Sequence, residues 1–340
     1  MTQNLVSVIT PCYNTAPYLP HLLESLLQQD YPHMEIIAVN DGSTDDTQKV
    51  LESYRNKFEA KGYSYKCLSQ SNAGQSAAVN NALKLVRGEF LICPDSDDWY
   101  NTPTAISTFV NTLRTLPKEY AEVRCVSTIV PEDDHSKSHT PAFIPDYRDE
   151  NQFPYCLHDR HFLWGAGNYM VRMSAFDTVN PQREIYVEKR AGQNWQLLLP
   201  ILYKYKCHTI EQSVHSILER SNSHSRGQFT KPATILEKTE SFLNTIASTL
   251  NRMDMPADER DGYILEISSK YLRSLFDYAC ACGLSSQASR YAAQMKSLKI
   301  TFTAKDTFYL LLAHSPRLNR IARRLVSAGL HACTTDSGQS

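Results

Sequence analysis

No charge of one sign prevails in this chain. It has 35 basic against 36 acidic residues, a net charge of −1 over 340 residues. No bulk field draws nucleic acid, and none is expected as a partner. No apolar run approaches the roughly 18–20 residues of a membrane span. The opening MTQNLVSVIT has no basic stretch followed by a long apolar core, so a signal peptide is not expected. No CxxC pair occurs among the nine cysteines, and the closest two, Cys280 and Cys282, lie in a helical pattern. Such a set resembles neither a disulfide framework nor a zinc site, and a reducing cytoplasm is the simplest compartment. What is there is a chain 42% hydrophobic, long enough for one large domain and a smaller one.

Short apolar runs alternate with helical spacing over the first hundred residues. Leu5 to Thr10, Glu35 to Val39, Tyr65 to Leu68 and Glu89 to Cys93 read as strands. Tyr18–Gln29, Asp45–Lys61 and Ala73–Val86 read as helices. This alternation predicts an α/β fold with a mixed, mostly parallel sheet flanked by helices. Ligands of such sheets bind at the carboxyl ends of the strands. Those ends carry Thr10-Pro11-Cys12-Tyr13-Asn14, Asn40-Asp41-Gly42-Ser43, Ser71-Asn72-Ala73-Gly74 and Asp95-Ser96-Asp97-Asp98, so polar groups gather on one edge. Residues 131–154 read as a polar loop, Trp164–Arg172 and Ser213–Leu218 as strand-like, and Trp195–Lys206 as a helix. After about Thr230 only helical patterns remain, to about Leu330, with a frayed tail beyond. The expected domains are 1–230 and an α-helical region, 231–340.

The acids at 95–98 repel one another and need a reason to stand together. Asp95 and Asp97, two apart in an extended segment, point the same way and suit a hard divalent cation, Mn2+ or Mg2+, shared with a diphosphate. Asp98 points elsewhere, as toward the cap of a following helix. The plainer alternative is a turn with an N-cap.

Four motifs then resemble family 2 glycosyltransferases of GT-A type, which build bacterial surface polysaccharides. SVITPCYN, IIAVNDGSTDDT, NAGQSAAVNNAL and FLICPDSDDW stand in the family's order and spacing over residues 5–100. The resemblance implies a nucleotide-sugar donor, with uridine as the base, a glycan or lipid-linked glycan acceptor, and inversion at the anomeric carbon. It implies nucleotide contacts from Thr10, Pro11, Tyr13, Asn14, Asp41, Asn72, Gly74, Gln75, Asp95 and Ser96. Asp97 would hold the metal, with Asp95 and His224 as further candidates, and His224 and Arg226 would face the diphosphate. Asp98, Trp99, Trp164 and Trp195 are candidates for the sugar side. Plainer roles stand beside these: loop packing for Tyr13, an Asx-turn for Asp41, solvation for His224, core for either Trp164 or Trp195.

The pattern breaks where the family carries its base. That stretch is here Ala191-Gly192-Gln193-Asn194-Trp195, and an amide is no base at neutral pH. Three alternatives follow: another acid, such as Glu188, serves instead; Gln193 and Asn194 only orient the acceptor; or the alignment is shifted by a turn. A scaffold that binds nucleotide-sugar without turnover is the competing reading. A nucleotidyltransferase is disfavoured, because TPCYNTAPYL lacks the Gly-rich, Arg- or Lys-bearing loop such enzymes carry. Near the end, Arg317, Arg320, Arg323 and Arg324 flank Leu318, Ile321, Leu325 and Val326. This basic amphipathic pattern suits the anionic inner face of a membrane, or equally a solvated face packed on the domain.

Overall fold

In the computed structural model, residues 1–188, 192–220 and 231–315 are described. The chain divides into two units, Met1–Ser221 and Asn222–Ser340. The first unit runs β1 (Thr2–Cys12), α1 (Leu19–Leu27), β2 (Met34–Asn40), α2 (Thr47–Ser53), α3 (Arg55–Ala60), β3 (Ser64–Ser69), α4 (Gln75–Leu83), β4 (Gly88–Ile92), β5 (Trp99–Tyr100) and α5 (Ala105–Thr115). It continues with β6 (Tyr120–Pro131), α6 (Phe153–His158), β7 (Tyr169–Arg172), α7 (Met173–Val179), α8 (Asn194–Lys204) and β8 (Lys206–Glu219).

The strands form one sheet in the order β3-β2-β1-β4-β7-β6-β8-β5. β3, β2, β1 and β4 are parallel. β7 is antiparallel to both neighbours, β6 and β8 are parallel again, and β5 closes the edge antiparallel to β8. β1 and β2 are buried on both faces, as a covered parallel sheet demands: β1 from Val6 onward, β2 throughout. Four of the five leucines of α1, at 19, 22, 23 and 26, and Ile106, Phe109, Val110 and Leu113 of α5 join Val6, Val8, Ile36, Phe90 and Ile92 in one core. Each such side chain stabilises the fold by about 1.5–3 kcal/mol relative to exposure. Pro20 presets the first turn of α1.

β5, α5 and α7 were not anticipated, and three further elements differ from expectation. The single helix expected over 45–61 is two, because the chain tightens at Tyr54, whose N–H bonds to Leu51 O. The loop over 131–154 contains two 3-10 turns, at His135–Lys137 and Pro145–Arg148, and runs into α6 at Phe153. Its end is held by Gln152, whose amide donates to Asp146 O and Asp149 O. β6, not anticipated, is buried over Tyr120–Val126 although it carries Glu122 and Arg124. These two form a buried ion pair, 2.8 Å apart. Arg124 also donates to Cys207 Sγ and lies over the Phe162 ring.

The second unit holds α9 (Pro232–Arg252), α10 (Ala257–Cys282), α11 (Ser285–Ser297) and α12 (Ala304–Ala313). Leu272, Leu275, Phe276, Ala279, Tyr291 and Met295 are in its core. Gly283, left-handed at φ +68°, ends α10, and Leu284 N–H returns to Ala279 O, closing the last turn. Thr303 and Asp306 cap α12 reciprocally.

Candidate active site

The site is assembled at the carboxyl ends of β1, β2, β3 and β4. Asp41, just past β2, is nearly buried. Its Oδ1 accepts from Ala73 N–H at 2.9 Å and Gln70 Nε2 at 2.7 Å, and its Oδ2 accepts from Gly74 N–H at 2.9 Å. Gln70 is in turn held by Asn81, whose amide donates to Gln70 Oε1 at 2.6 Å. The carboxylate thus pins the loop that opens α4. Gly42 makes the approach feasible: it sits at φ +71°, and a Cβ there would lie 2.7 Å from Asn72 N. Asn72 is exposed beside it.

On the β1 side, Tyr13 is 49% exposed and Asn14 adopts φ +50°. Asn14 laces two loops together: its N–H donates to Ser43 Oγ, and its Oδ1 accepts from Thr44 N–H. Thr10, Pro11 and Ser96 are buried, so of the residues assigned to the nucleotide it is Tyr13, Asn14 and Asn72 that stand open.

The acids separate into three environments. Asp95 accepts from Gln75 Nε2 at 2.7 Å. Burial and the Asp97 charge push its carboxyl up to about 7, against the pull of the Gln193 and Gln75 hydrogen bonds. Asp97 faces the Arg220 guanidinium in an ion pair. Asp98 turns inward. It caps no helix; its Oδ1 accepts from Leu218 N–H of β8 at 3.0 Å. Burial, then Asp97 and Asp95, hold its carboxyl well above the ordinary range. Its Oδ2 lies 3.9 Å from His215 Nε2, and Ser127 Oγ is 3.1 Å from His215 Nδ1. Ser127, His215 and Asp98 are in a triad-like order, but all three are buried and serve as cross-sheet packing. Asp98 is therefore placed at a strand join and not on an open sugar surface.

Gln193 is buried against the same cluster: it hydrogen-bonds Asp95, and its Nε2 lies 3.8 Å from Cys93 Sγ. Gly192 lies close to Gln75 Oε1. The 192–195 stretch therefore does reach the strand ends. Asn194 Oδ1 accepts from Tyr169 OH at 3.2 Å. Trp195 is buried, with Nε1 bonded to Cys156 O at 3.1 Å, and is core rather than an open stacking platform. Trp164 packs edge-on against it and donates to Asp159. Trp99, half-buried in β5, lies beside His21. Glu188 is half-buried four residues before Gly192. His224, Arg226 and the 316–330 segment lie outside the described residues. Asn80 is structural: it exchanges two hydrogen bonds with the backbone of Ile185.

Sequence reasoning gave no role to Tyr18 and Gln70, and named Arg220 only as the first residue of the basic stretch 220–226 that the family resemblance places near the diphosphate.

Among the described residues no group of three His, Cys, Asp or Glu side chains could hold a metal. Two carboxylates are present, Asp95 and Asp97, and burial, then the neighbouring Asp97 charge, pushes Asp95 up. That donor set fits a small divalent cation that takes one or two carboxylates and completes its shell with water and phosphate oxygens. Cys12 and Cys93 are buried and their thiols pushed up, so neither is a nucleophile.

A strand-end site on this sheet defines the GT-A class of fold. Solved structures agree. Staphylococcus aureus TarS 1–349 in complex with UDP-GlcNAc has a TM-score of 0.57 at 18% identity, covering 96% of this chain and 92% of that one. The mannosyltransferase PcManGT from Pyrobaculum calidifontis, in complex with GDP-Man and Mn2+, has 0.54 at 15% identity, covering 97% and 86%. At these identities the likeness concerns the fold. Residues 7–178 match Glycosyl transferase family 2, and the chain belongs to that family. Poly(ribitol-phosphate) beta-N-acetylglucosaminyltransferase TarS of S. aureus (strain Mu50) is 42% identical over 100 residues, 29% of this chain and 17% of that one. The uncharacterized glycosyltransferase RT0329 of Rickettsia typhi is 37% identical over 145 residues, 42% of each chain. EpsJ of Bacillus subtilis, also an uncharacterized glycosyltransferase, is 27% identical over 186 residues, 52% and 50% of the two. The chain spans half or less of the length of these curated relatives. Among the described residues no helix is long and apolar enough to cross a membrane.

Proposed function

We propose that this chain transfers a sugar from a nucleotide-sugar, a UDP-sugar, to a glycan or lipid-linked glycan acceptor, with a divalent cation and with inversion, in surface polysaccharide biosynthesis. The observation that carries the reading is the juxtaposition of Asp95 and Asp97 with the Asp41 loop on one sheet edge. The UDP-GlcNAc and UDP complexes of TarS support uridine, and the Mn2+ complex of PcManGT supports the cation.

In this reading Tyr13 stacks on the base, and Asp41, fixed by Ala73, Gly74 and Gln70, faces base and ribose. Gln75 and Gln193 hold Asp95 toward the ribose. Asp97, with Asp95, would hold Mn2+ or Mg2+, which when bound supplies positive charge to the departing diphosphate. Asn194 orients the acceptor, since an amide cannot take its proton, and Glu188 accepts that proton. His224 and Arg226 face the diphosphate, Trp99 and Trp164 the sugars. The protein works in the cytoplasm at the inner face of the membrane, where the basic 316–330 segment meets anionic lipid.

The amide at Gln193 also favours a second reading, a scaffold that binds nucleotide-sugar without turning it over. Calorimetric titration of UDP with and without Mn2+, on wild type and Asp97→Ala, tests the first. Mn2+-dependent binding that is lost in the variant is expected; no UDP binding by folded wild type under either condition would remove the uridine assignment. Slow hydrolysis of UDP-sugars by the wild type, absent in Glu188→Gln, separates transferase from scaffold.

A further inference from the structure

Arg220 is the one described cation that touches the acid cluster in an ion pair, and it is elaborately held. Its guanidinium pairs with Asp97 Oδ2. It also lies 4.3 Å from the centroid of the Tyr18 ring, a cation–π arrangement that suits guanidinium. The Tyr18 hydroxyl bonds to Arg220 and donates to Glu132 Oε1 at 2.6 Å. The four residues come from four places: the loop before α1, the β4 end, the β6 end and the β8 end. Yet the arrangement is incomplete, since Arg220 Nε is buried and has no acceptor. A buried charged donor left unpaired is destabilising, so the position is suited to a further anionic group.

We propose that Arg220 is the resident counter-ion of Asp97 and an antagonist of the divalent cation: while the Glu132–Tyr18–Arg220 chain holds it on Asp97, it withholds that carboxylate. It yields when a diphosphate arrives to accept its guanidinium. Cation and nucleotide then bind cooperatively, because the diphosphate that completes the cation's shell also draws off its competitor. Electrostatics alone would let the cation bind first and unaided to a cluster of three acids; the clamp opposes that order. This rests on the reading of Asp97 as the cation-holding carboxylate. Arg220 acts here as a positioning residue and takes no part in bond making.

The test is Mn2+ binding to the nucleotide-free full-length protein, followed by electron paramagnetic resonance of the free ion, with circular dichroism as the check on folding. Wild type should bind weakly, and Arg220→Gln on the order of tenfold more tightly, the size expected for removing one charged hydrogen-bonded competitor. Tyr18→Phe, which keeps the ring and loses the link to Glu132, should move affinity the same way by less. Arg220→Lys should stay near wild type. In the presence of UDP the gap between wild type and Arg220→Gln should close. Unchanged or weaker Mn2+ binding by Arg220→Gln, with UDP binding still dependent on Mn2+, overturns the proposal and leaves the function standing. Failure of wild type and variant alike to bind Mn2+, with or without UDP, removes the metal reading and the proposal together.

Discussion

The two halves of the sheet use charge differently. In the parallel half, β3-β2-β1-β4, the charges of the site stand beyond the strand ends, at Asp41, Asp95 and Asp97, and the one fully buried charge inside a strand, Glu35 of β2, is held by Ser7 and Arg87. In the other half, β7-β6-β8-β5, charges and polar groups sit inside the strands themselves: Glu122 and Arg124 in β6, His215 in β8, with Asp98 turned in from the β4 end. The first arrangement gathers carboxylates at one sheet edge. The second neutralises them internally, and it contributes to the site one group of opposite sign, Arg220. An acidic edge is thus completed by a cation from the half whose charges are otherwise spent on packing.

The sharpest way to break this contrast is to unbalance the buried pair. Arg124→Met strands Glu122 in the core and should cost about 3–5 kcal/mol. Replacing both with apolar residues of similar volume, Glu122→Leu with Arg124→Met, should recover most of that loss in urea denaturation. A double variant as unstable as the single one would mean that the pair does more than neutralise itself.

A smaller effect is expected in the parallel half, where the constraint is backbone. Gly42→Ala places a side chain at φ +71°, 2.7 Å from Asn72 N, and should cost about 1–3 kcal/mol. It should also weaken UDP binding, because the same loop carries Asp41. Thermal melts and calorimetry on one preparation would check both, and a variant with unaltered melting would show that the loop gives way freely.

The smallest effect is pH-dependent. Burial pushes the His215 imidazole down to about 3, whereas the unfolded chain takes up that proton near 6.5. Between those values the unfolded state binds more protons at His215, so stability falls as pH falls. Asp98, whose carboxyl is raised, acts in the opposite sense on acidification, which is why a variant comparison is needed. His215→Gln should lose less stability than wild type between pH 6 and pH 4 in urea titrations. A parallel loss in both would place the acid sensitivity elsewhere.

Local pattern and global placement contributed differently to what was legible. β1, β2 and β4 could be read because a strand covered on both faces is near-continuously apolar; the mostly parallel sheet followed from the alternation, the helical C-terminal region from helical spacing after about Thr230, and the GT-A type from the motif resemblance. β6 was missed for the converse reason: Glu122 and Arg124 look solvated in a sequence, and only the partner two residues away makes them fit to bury. The helix over 45–61 was read as one because periodicity does not register a tightened turn at Tyr54.

At the site, residue type and spacing were enough to gather Asp41, Asp95 and Asp97 on one edge, since strand ends in a parallel sheet lie together. They also showed that amides stand at 193 and 194. Only the tertiary structure decided that Asp98 faces Leu218 and His215, that Trp195 is core, and that Gln193 bonds Asp95. It alone brought Tyr18, Glu132 and Arg220 together beside Asp97. The physical reason is the same in each case. A side chain's hydrophobic period is set by its neighbours in sequence, but its charge state and partner are set by whatever the fold brings to within a few ångströms.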